Sequence, residues 1–376
     1  MAEPSWSWPD LHDAQRSVLL ELLVHGSHSR AELTRRTGLS RASLMRLARN
    51  LVDLGLASEG GTETRRSRGR PSGTLHLRGE AAHFIGIKLT GDALYCAVTD
   101  LSARVVSTSE KKFRSRSVDD VVDLIGHVVD EMRRDHPRIA AIGVCLAGDI
   151  TGADGEREVV GSHFLGWDAV PLVRLVAERT GLPTEIANDV QALTTAHHWF
   201  GAGRGSRSMA LIGLGAGIGA GIVVDDDLIR GAGGRPGKVG HLRVHDSGPE
   251  CDRGHVGCVS AYVTGPAIER RAGAPVRAVV ARAADGDAGC TSILDDAVRA
   301  LGVVIGTLVS ITDVEKVIVT GEGLPIIARN PALLFASTAA ALDPASAPPR
   351  VEMHPFEFSD YAWAAAVCAT RLLLSS

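Results

Sequence analysis

Between Asp10 and His25 apolar residues fall at Leu11, Val18, Leu19, Leu22 and Leu23, a helical period that Gly26 ends. Ser29 and Glu32 have the spacing of a capping box for a short helix reaching Thr37. Gly38 makes a turn, and Ser40 caps a third helix with Leu44, Leu47, Leu51 and Leu54 on one face. Leu75 and Leu77 then alternate with polar residues, predicting a β-hairpin whose loop carries Arg65, Arg66, Arg68 and Arg70. Two short helices joined by a Gly turn and followed by a basic hairpin form the winged helix-turn-helix pattern. This head is expected over residues 1–80.

Beyond it the pattern becomes α/β. Phe84–Lys88, Tyr95–Thr99 and Val105–Thr108 predict strands, Val118–Arg134 an amphipathic helix and Ile139–Leu146 a further strand. Val170–Arg179 is expected to be helical, Glu185–Ala187 a short strand, and Val190–Phe200 helical again. Strands recur over Met209–Val224, and the remainder is helix-rich with one strand at Lys316–Thr320. A body of two α/β lobes with a cleft between them is expected over 81–376, divided near 187 and 188.

Charge sharpens this division. From Arg30 to Arg78 there are 11 Arg against 4 acids, a local balance of +7. The net charge of the chain is −4, so the rest carries −11. A solvated basic surface would account for the charge alone; joined to the helix-turn-helix pattern, it points to a polyanion. Early residues of the recognition helix face the major groove in such heads. Here they are Ser40, Arg41, Ser43 and Arg46, all hydrogen-bond donors able to reach base edges or phosphates. The four wing arginines suit the DNA backbone or minor groove. Three-helix heads also serve as protein-interaction modules; the basic wing favours DNA.

The six cysteines, Cys96, Cys145, Cys251, Cys258, Cys290 and Cys368, form no dense framework, which fits a reducing compartment. No signal peptide is read at the N-terminus. The longest low-charge stretch, Met209–Val224, is Gly-laden and shorter than the ~20 apolar residues of a membrane helix. A soluble, cytoplasmic protein without a membrane partner is expected.

Six motifs then occur in order: Gly166-Trp167-Asp168-Ala169-Val170-Pro171-Leu172, Ala187-Asn188-Asp189-Val190-Gln191-Ala192, Phe200-Gly201-Ala202-Gly203, Gly215-Ala216-Gly217-Ile218-Gly219-Ala220-Gly221, Gly237-Lys238-Val239-Gly240-His241, and Cys251-Asp252-Arg253-Gly254-His255-Val256-Gly257-Cys258. The body resembles the ROK family of repressors and sugar kinases, built on the actin-like ATPase fold. Gly69-Arg70-Pro71-Ser72 after a winged head resembles its repressor branch.

The resemblance implies roles, and departures from it matter as much. Kinases of this kind carry Asp-x-Gly-Gly-Thr after the first strand, where this chain has Lys88-Leu89-Thr90-Gly91-Asp92. Lys replaces an acid that helps position the metal nucleotide, and Asp92 stands where Thr is usual. A carboxylate beside a triphosphate is repulsive, so no ATP binding and no catalysis are expected. Asp189 matches the general base and is read as vestigial; an Asn-Asp pair can equally cap a helix or hold a ligand. The glycines of Gly215–Gly221 equally permit a tight strand–turn–strand.

By resemblance, Asn188, Asp189, Lys238 and His241 would line an effector site. Lys238 and Ser260 replace two sugar-binding glutamates, which weakens recognition of a neutral sugar and leaves open a sugar phosphate, another metabolite or no ligand. The family's zinc site uses one His and three Cys. His241, Cys251 and Cys258 are kept, Arg253 replaces the middle Cys, and His255 or Asp252 is available to complete the set; a metal-free loop is the alternative.

These readings converge on a DNA-binding regulator, a repressor, acting as a homodimer or homotetramer on a pseudo-palindromic operator of double-stranded DNA. A sugar kinase with an appended head and a regulator without a small ligand are the rivals.

Overall fold

The computed structural model describes residues 6–60 and 73–375. The chain forms two compact units, residues 1–200 with 361–376, and residues 201–360.

The first unit begins with three helices, Asp13–His25, Arg30–Thr37 and Arg41–Asp53. Val18, Leu19, Leu22, Leu33, Leu44, Leu47 and Leu51 from all three are buried together with Leu56 and Leu75. The expected hairpin is present as strands Ala57–Gly60 and Thr74–Leu77, paired antiparallel. A two-residue strand, His28–Ser29, pairs with the outer side of Thr74–Leu77. Arg65, Arg66, Arg68 and Arg70 lie outside the described residues.

The same unit holds a five-stranded sheet in the order Thr184–Asn188, Ile139–Leu146, His83–Leu89, Ala93–Asp100, Val105–Lys112. The first three strands run parallel and the last two add as antiparallel hairpins. Helices Val118–Asp135 and Leu172–Thr180 contribute their apolar faces to the core of this sheet. The helix Asp360–Leu374 returns to the sheet from the C-terminal end. Its Ala362, Ala364, Ala365, Ala366 and Ala369 are buried, and Gly86 and Gly143 sit in register opposite one another on adjacent strands. A Cβ on Gly86 would lie 1.9 Å from the Ala362 carbonyl oxygen, and one on Gly143 1.8 Å from that of Ala365. Only glycine lets helix and sheet approach so closely.

Three short antiparallel strands, Asp149–Thr151, Glu158–Ser162 and Trp167–Val170, form a further sheet that the sequence pattern did not indicate. Val170, expected to open a helix, instead ends a strand, and the helix starts at Leu172. A residue before proline is biased toward extended backbone, which accounts for the difference at Val170-Pro171.

The second unit has a five-stranded sheet in the order Asp227–Leu228, Ile218–Val224, Met209–Leu214, Lys316–Thr320, Arg350–Met353. The helix Ala288–Thr312 packs against Pro331–Ala341 at Gly302 and Gly306. Among the described residues no helix is long and apolar enough to cross a membrane.

Candidate functional site

The sequence builds the head's outer helix from both ends. The Ser29 backbone N–H donates to Glu32 Oε2 at 3.0 Å and the Glu32 N–H returns to Ser29 Oγ at 3.2 Å. This capping box starts the second helix, and Gly38, at φ 68°, ends it in the left-handed conformation that glycine adopts without strain. Ser40 Oγ then accepts from the Ser43 N–H at 3.2 Å and donates to Ser43 Oγ at 3.0 Å. Ser40 and Ser43, both expected at the DNA, therefore also form the N-terminal cap of the recognition helix.

That helix buries Leu44, Leu47, Ala48 and Leu51 and leaves Arg41, Met45, Arg46 and Arg49 exposed. Met45 is 53% exposed, an apolar side chain amid three guanidinium groups. Among the described residues Arg41, Arg46 and Arg49 make no side-chain ion pair, whereas Arg30 is paired with Glu59 and Arg36 with Glu21. Met45 and Arg49 extend the exposed face that sequence reading assigned to Arg41 and Arg46. Their spacing at i+4 and i+8 from Arg41 was the available signal.

In the body of the first unit, Lys88 and Asp189 meet. Lys88 lies at the end of its strand with Nζ 2.8 Å from Asp189 Oδ2, and the two side chains are only 5% and 14% exposed. The Lys88 ammonium also stands 4.4 Å from the centre of the Tyr361 ring. The Asp189 carboxylate is thus held by a buried cation on the strand His83–Leu89. Asn188 Oδ1 accepts the Val190 N–H at 3.0 Å and Nδ2 donates to the Gly148 carbonyl at 3.1 Å, so Asn188 caps the helix Asp189–Trp199. Asp92 remains a surface carboxylate. Hydrogen bonding from Thr90, then the charge of Lys112, holds it below the usual carboxylate range.

In the second unit, Gly215-Ala216-Gly217 makes a tight turn between two antiparallel strands, closed by the Gly215 N–H donating to the Gly217 carbonyl at 2.9 Å. Lys238 is exposed and precedes the short turn Val239–His241. Of the four residues expected to bind an effector, Asn188 and Asp189 belong to the first unit, and Lys238 and His241 to the second.

His241 also belongs to a cluster with Cys251, His255 and Cys258, whose ligand atoms all lie within 4.8 Å of one another. His241 Nδ1 is 3.8 Å from each thiol sulfur and 3.1 Å from His255 Nδ1. Two imidazole nitrogens and two thiol sulfurs gathered this closely are donors of the kind that hold zinc, so the donor set fits the metal. Burial, then the neighbouring His255, holds the His241 pKa down and favours the neutral imidazole that ligates a metal. Arg253 occupies the missing cysteine's place in sequence, but its side chain is exposed and its backbone N–H donates to Cys251 Sγ at 3.4 Å. Of the two substitutes considered, His255 is in the cluster; Asp252 is not among its members.

The geometry defines a two-part protein, a winged helix-turn-helix joined to an α/β body with a His/Cys cluster. The chain belongs to the ROK family, whose model matches residues 84–337, and a MarR family model matches residues 10–67. The xylose repressor of Bacillus subtilis is 27% identical over 258 residues, covering 68% of this chain and 66% of that protein, just under two thirds of its length. The crystal structure of a ROK family transcriptional regulator, homologous to the Escherichia coli Mlc protein, is 23% identical, covers 96% of both chains and superposes with a TM-score of 0.79. A ROK family glucokinase from Streptomyces griseus, solved with glucose and AMPPNP, is 25% identical and covers 77% of this chain and 99% of its own, with a TM-score of 0.62. Fold likeness extends to regulators and to kinases, while the winged head is shared with the regulators.

Proposed function

We propose that this protein is a DNA-binding transcriptional regulator, a repressor, whose kinase-like body serves assembly and effector sensing. The observation that carries this reading is the exposed face of Arg41, Met45, Arg46 and Arg49 on the third helix of a MarR-type head. Arg donates two bonds to guanine O6 and N7, and an apolar side chain suits the thymine methyl. Arg65, Arg66, Arg68 and Arg70 of the wing add backbone or minor-groove attraction. Two heads of a homodimer or homotetramer would engage half-sites about one helical turn apart, or a multiple of it.

The rival with a specific observation in its favour is a sugar kinase, because glucokinases share the body fold. The buried Lys88–Asp189 pair opposes it. A carboxylate already held by an ammonium at 2.8 Å is a poor acceptor for a sugar hydroxyl proton, and the loop's remaining acid, Asp92, repels phosphate. A coupled assay of sugar-dependent ATP turnover tests this: background rates are expected, and turnover at ordinary kinase rates would overturn the reading.

The named relative is a xylose repressor, which supports a sugar-type effector for this chain. Lys238, standing where the family carries a glutamate, favours an acidic or phosphorylated sugar, since an ammonium donates but cannot accept. His241, Cys251, His255 and Cys258 would hold a structural zinc that pins the loop carrying three of them.

A further inference from the structure

The His/Cys cluster of the second unit has chemistry beyond metal ligation. Of its four donors only Cys251 and Cys258 are thiols, and their sulfurs lie within 4.8 Å of one another. Arg253 lies between them in the chain, and the cluster holds no third thiol. Backbone hydrogen bonds of the loop itself bring the pair together. Glu250 and Val256 are bridged antiparallel, and the Cys251 N–H donates to the His255 carbonyl at 3.0 Å. An S–S bond is about 2.05 Å long, and a change of rotamer at one cysteine covers a gap of this size.

The placement of the pair suits oxidation. His241 and His255 are exposed, and Cys251 keeps 6% exposure against 1% for Cys258, so the cluster sits where the core of the second unit meets solvent. The other four cysteines are placed differently. Cys96, Cys145 and Cys368 are buried in the first unit, where desolvation pushes Cys96 and Cys368 up to about 12 and raises Cys145 as well. Cys290 is buried near the start of the helix Ala288–Thr312. Thiols buried in apolar surroundings are inert.

We propose that Cys251 and Cys258 are a site of reversible disulfide formation by a hydroperoxide, which takes both thiolates out of the cage together. With three cysteines one thiolate would survive such a bond. Here only two imidazoles are left, too few to hold zinc. The loss of metal alone rests on the zinc reading above. In the reaction the Cys251 sulfur attacks a peroxide oxygen, the O–O bond breaks and hydroxide leaves, giving a sulfenic acid. The Cys258 sulfur then displaces a second hydroxide, and the S–S bond forms. The two sulfurs give up two electrons to the peroxide, and two protons convert the hydroxides to water.

Peptide mapping of the full chain tests the site. The protein, purified in zinc-containing buffer, is treated with a few equivalents of hydrogen peroxide, alkylated and digested without reduction. Two of the six thiols should be lost, the peptides carrying Cys251 and Cys258 should be joined, and dithiothreitol should restore both thiols. Cys258→Ser should stop at the sulfenic acid of Cys251, trapped as its dimedone adduct. No joined peptide, oxidation spread evenly over the six cysteines, or a product that dithiothreitol does not reverse would overturn the proposal. The mapping uses the unaltered chain, so the result stands whether or not the variant folds. A colorimetric chelator added during oxidation should report about one zinc per chain, released in step with the disulfide. A disulfide formed in protein that carries no zinc removes the metal reading and leaves the thiol pair. Zinc retained after the disulfide has formed overturns the loss of both ligands.

Discussion

Replacing Lys88 by Met should destabilise the first unit by about 3 kcal/mol, near the lower end of what breaking a buried ion pair costs. The charges are 2.8 Å apart and the side chains 5% and 14% exposed. At an effective dielectric near 20 their attraction is about 6 kcal/mol, against which stands the cost of desolvating both. Asp189 keeps some support after the change. It opens the helix Asp189–Trp199, where the macrodipole favours an anion, and its Oδ1 accepts the Val190 N–H at 2.9 Å. Asp189→Asn should also be costly, tempered by the Tyr361 ring 4.4 Å from the Lys88 ammonium. The double variant Lys88→Met/Asp189→Asn should return to within about 1 kcal/mol of the parent, because no unpaired charge remains. Urea unfolding of the four proteins, read on the transition of the first unit, gives the coupling energy directly. In a working kinase the base would be free, and Asp189→Asn would remove activity with little loss of stability. A cost below about 1 kcal/mol for Lys88→Met, or single costs that simply add in the double variant, would refute the reasoning.

Arg41→Ala and Arg46→Ala should each weaken binding to a cognate site by about 1–3 kcal/mol in a titration by fluorescence anisotropy. Removing one phosphate-contacting wing arginine should lower the salt slope by about one unit. If the Cys/His cage holds metal, cobalt(II) should give a tetrahedral absorption spectrum that His255→Ala weakens and His255→Cys restores with added thiolate character. Gly86→Ala should unfold the first unit at markedly lower denaturant, because its Cβ would lie 1.9 Å from the Ala362 carbonyl oxygen. His83 should make stability fall in acid: burial, then the neighbouring His136, lowers its folded pKa, so its contribution is full above about pH 6.5 and is lost as pH falls toward the folded value. Urea midpoints measured from pH 5 to 8 should show this decline flattened in His83→Leu.

The head was legible because its signals are local. Ser29 with Glu32, Gly38 and Ser40 are start and stop marks within a few residues, and each makes the cap or turn its residue type predicts. The long body strands and the helix Val118–Asp135 were legible from hydrophobic period. The three-stranded sheet at Asp149–Val170 was not, because its strands have three to five residues and carry no alternation long enough to read. The return of helix Asp360–Leu374 to the first unit depends on Gly86 and Gly143 meeting an alanine face, a match between segments more than two hundred residues apart. The Lys88–Asp189 contact was hidden for the same reason. Lys88 read alone was a lost acid; its partner, 101 residues away, makes it a brace on the would-be base. His255 was visible as a ligand type, and the fold of its loop brings it, rather than Asp252, into the cluster with His241, Cys251 and Cys258.

The regulator reading is tested most directly by selecting bound sequences from a random duplex pool with the full-length protein. Enrichment of an inverted repeat is predicted, with half-sites about 10 base pairs apart or a multiple of that, and with affinity that falls steeply with salt and is weakened by about 1–3 kcal/mol in Arg41→Ala. Recovery of a pool no different from the input, or binding indifferent to sequence and to Arg41 and Arg46, would contradict it.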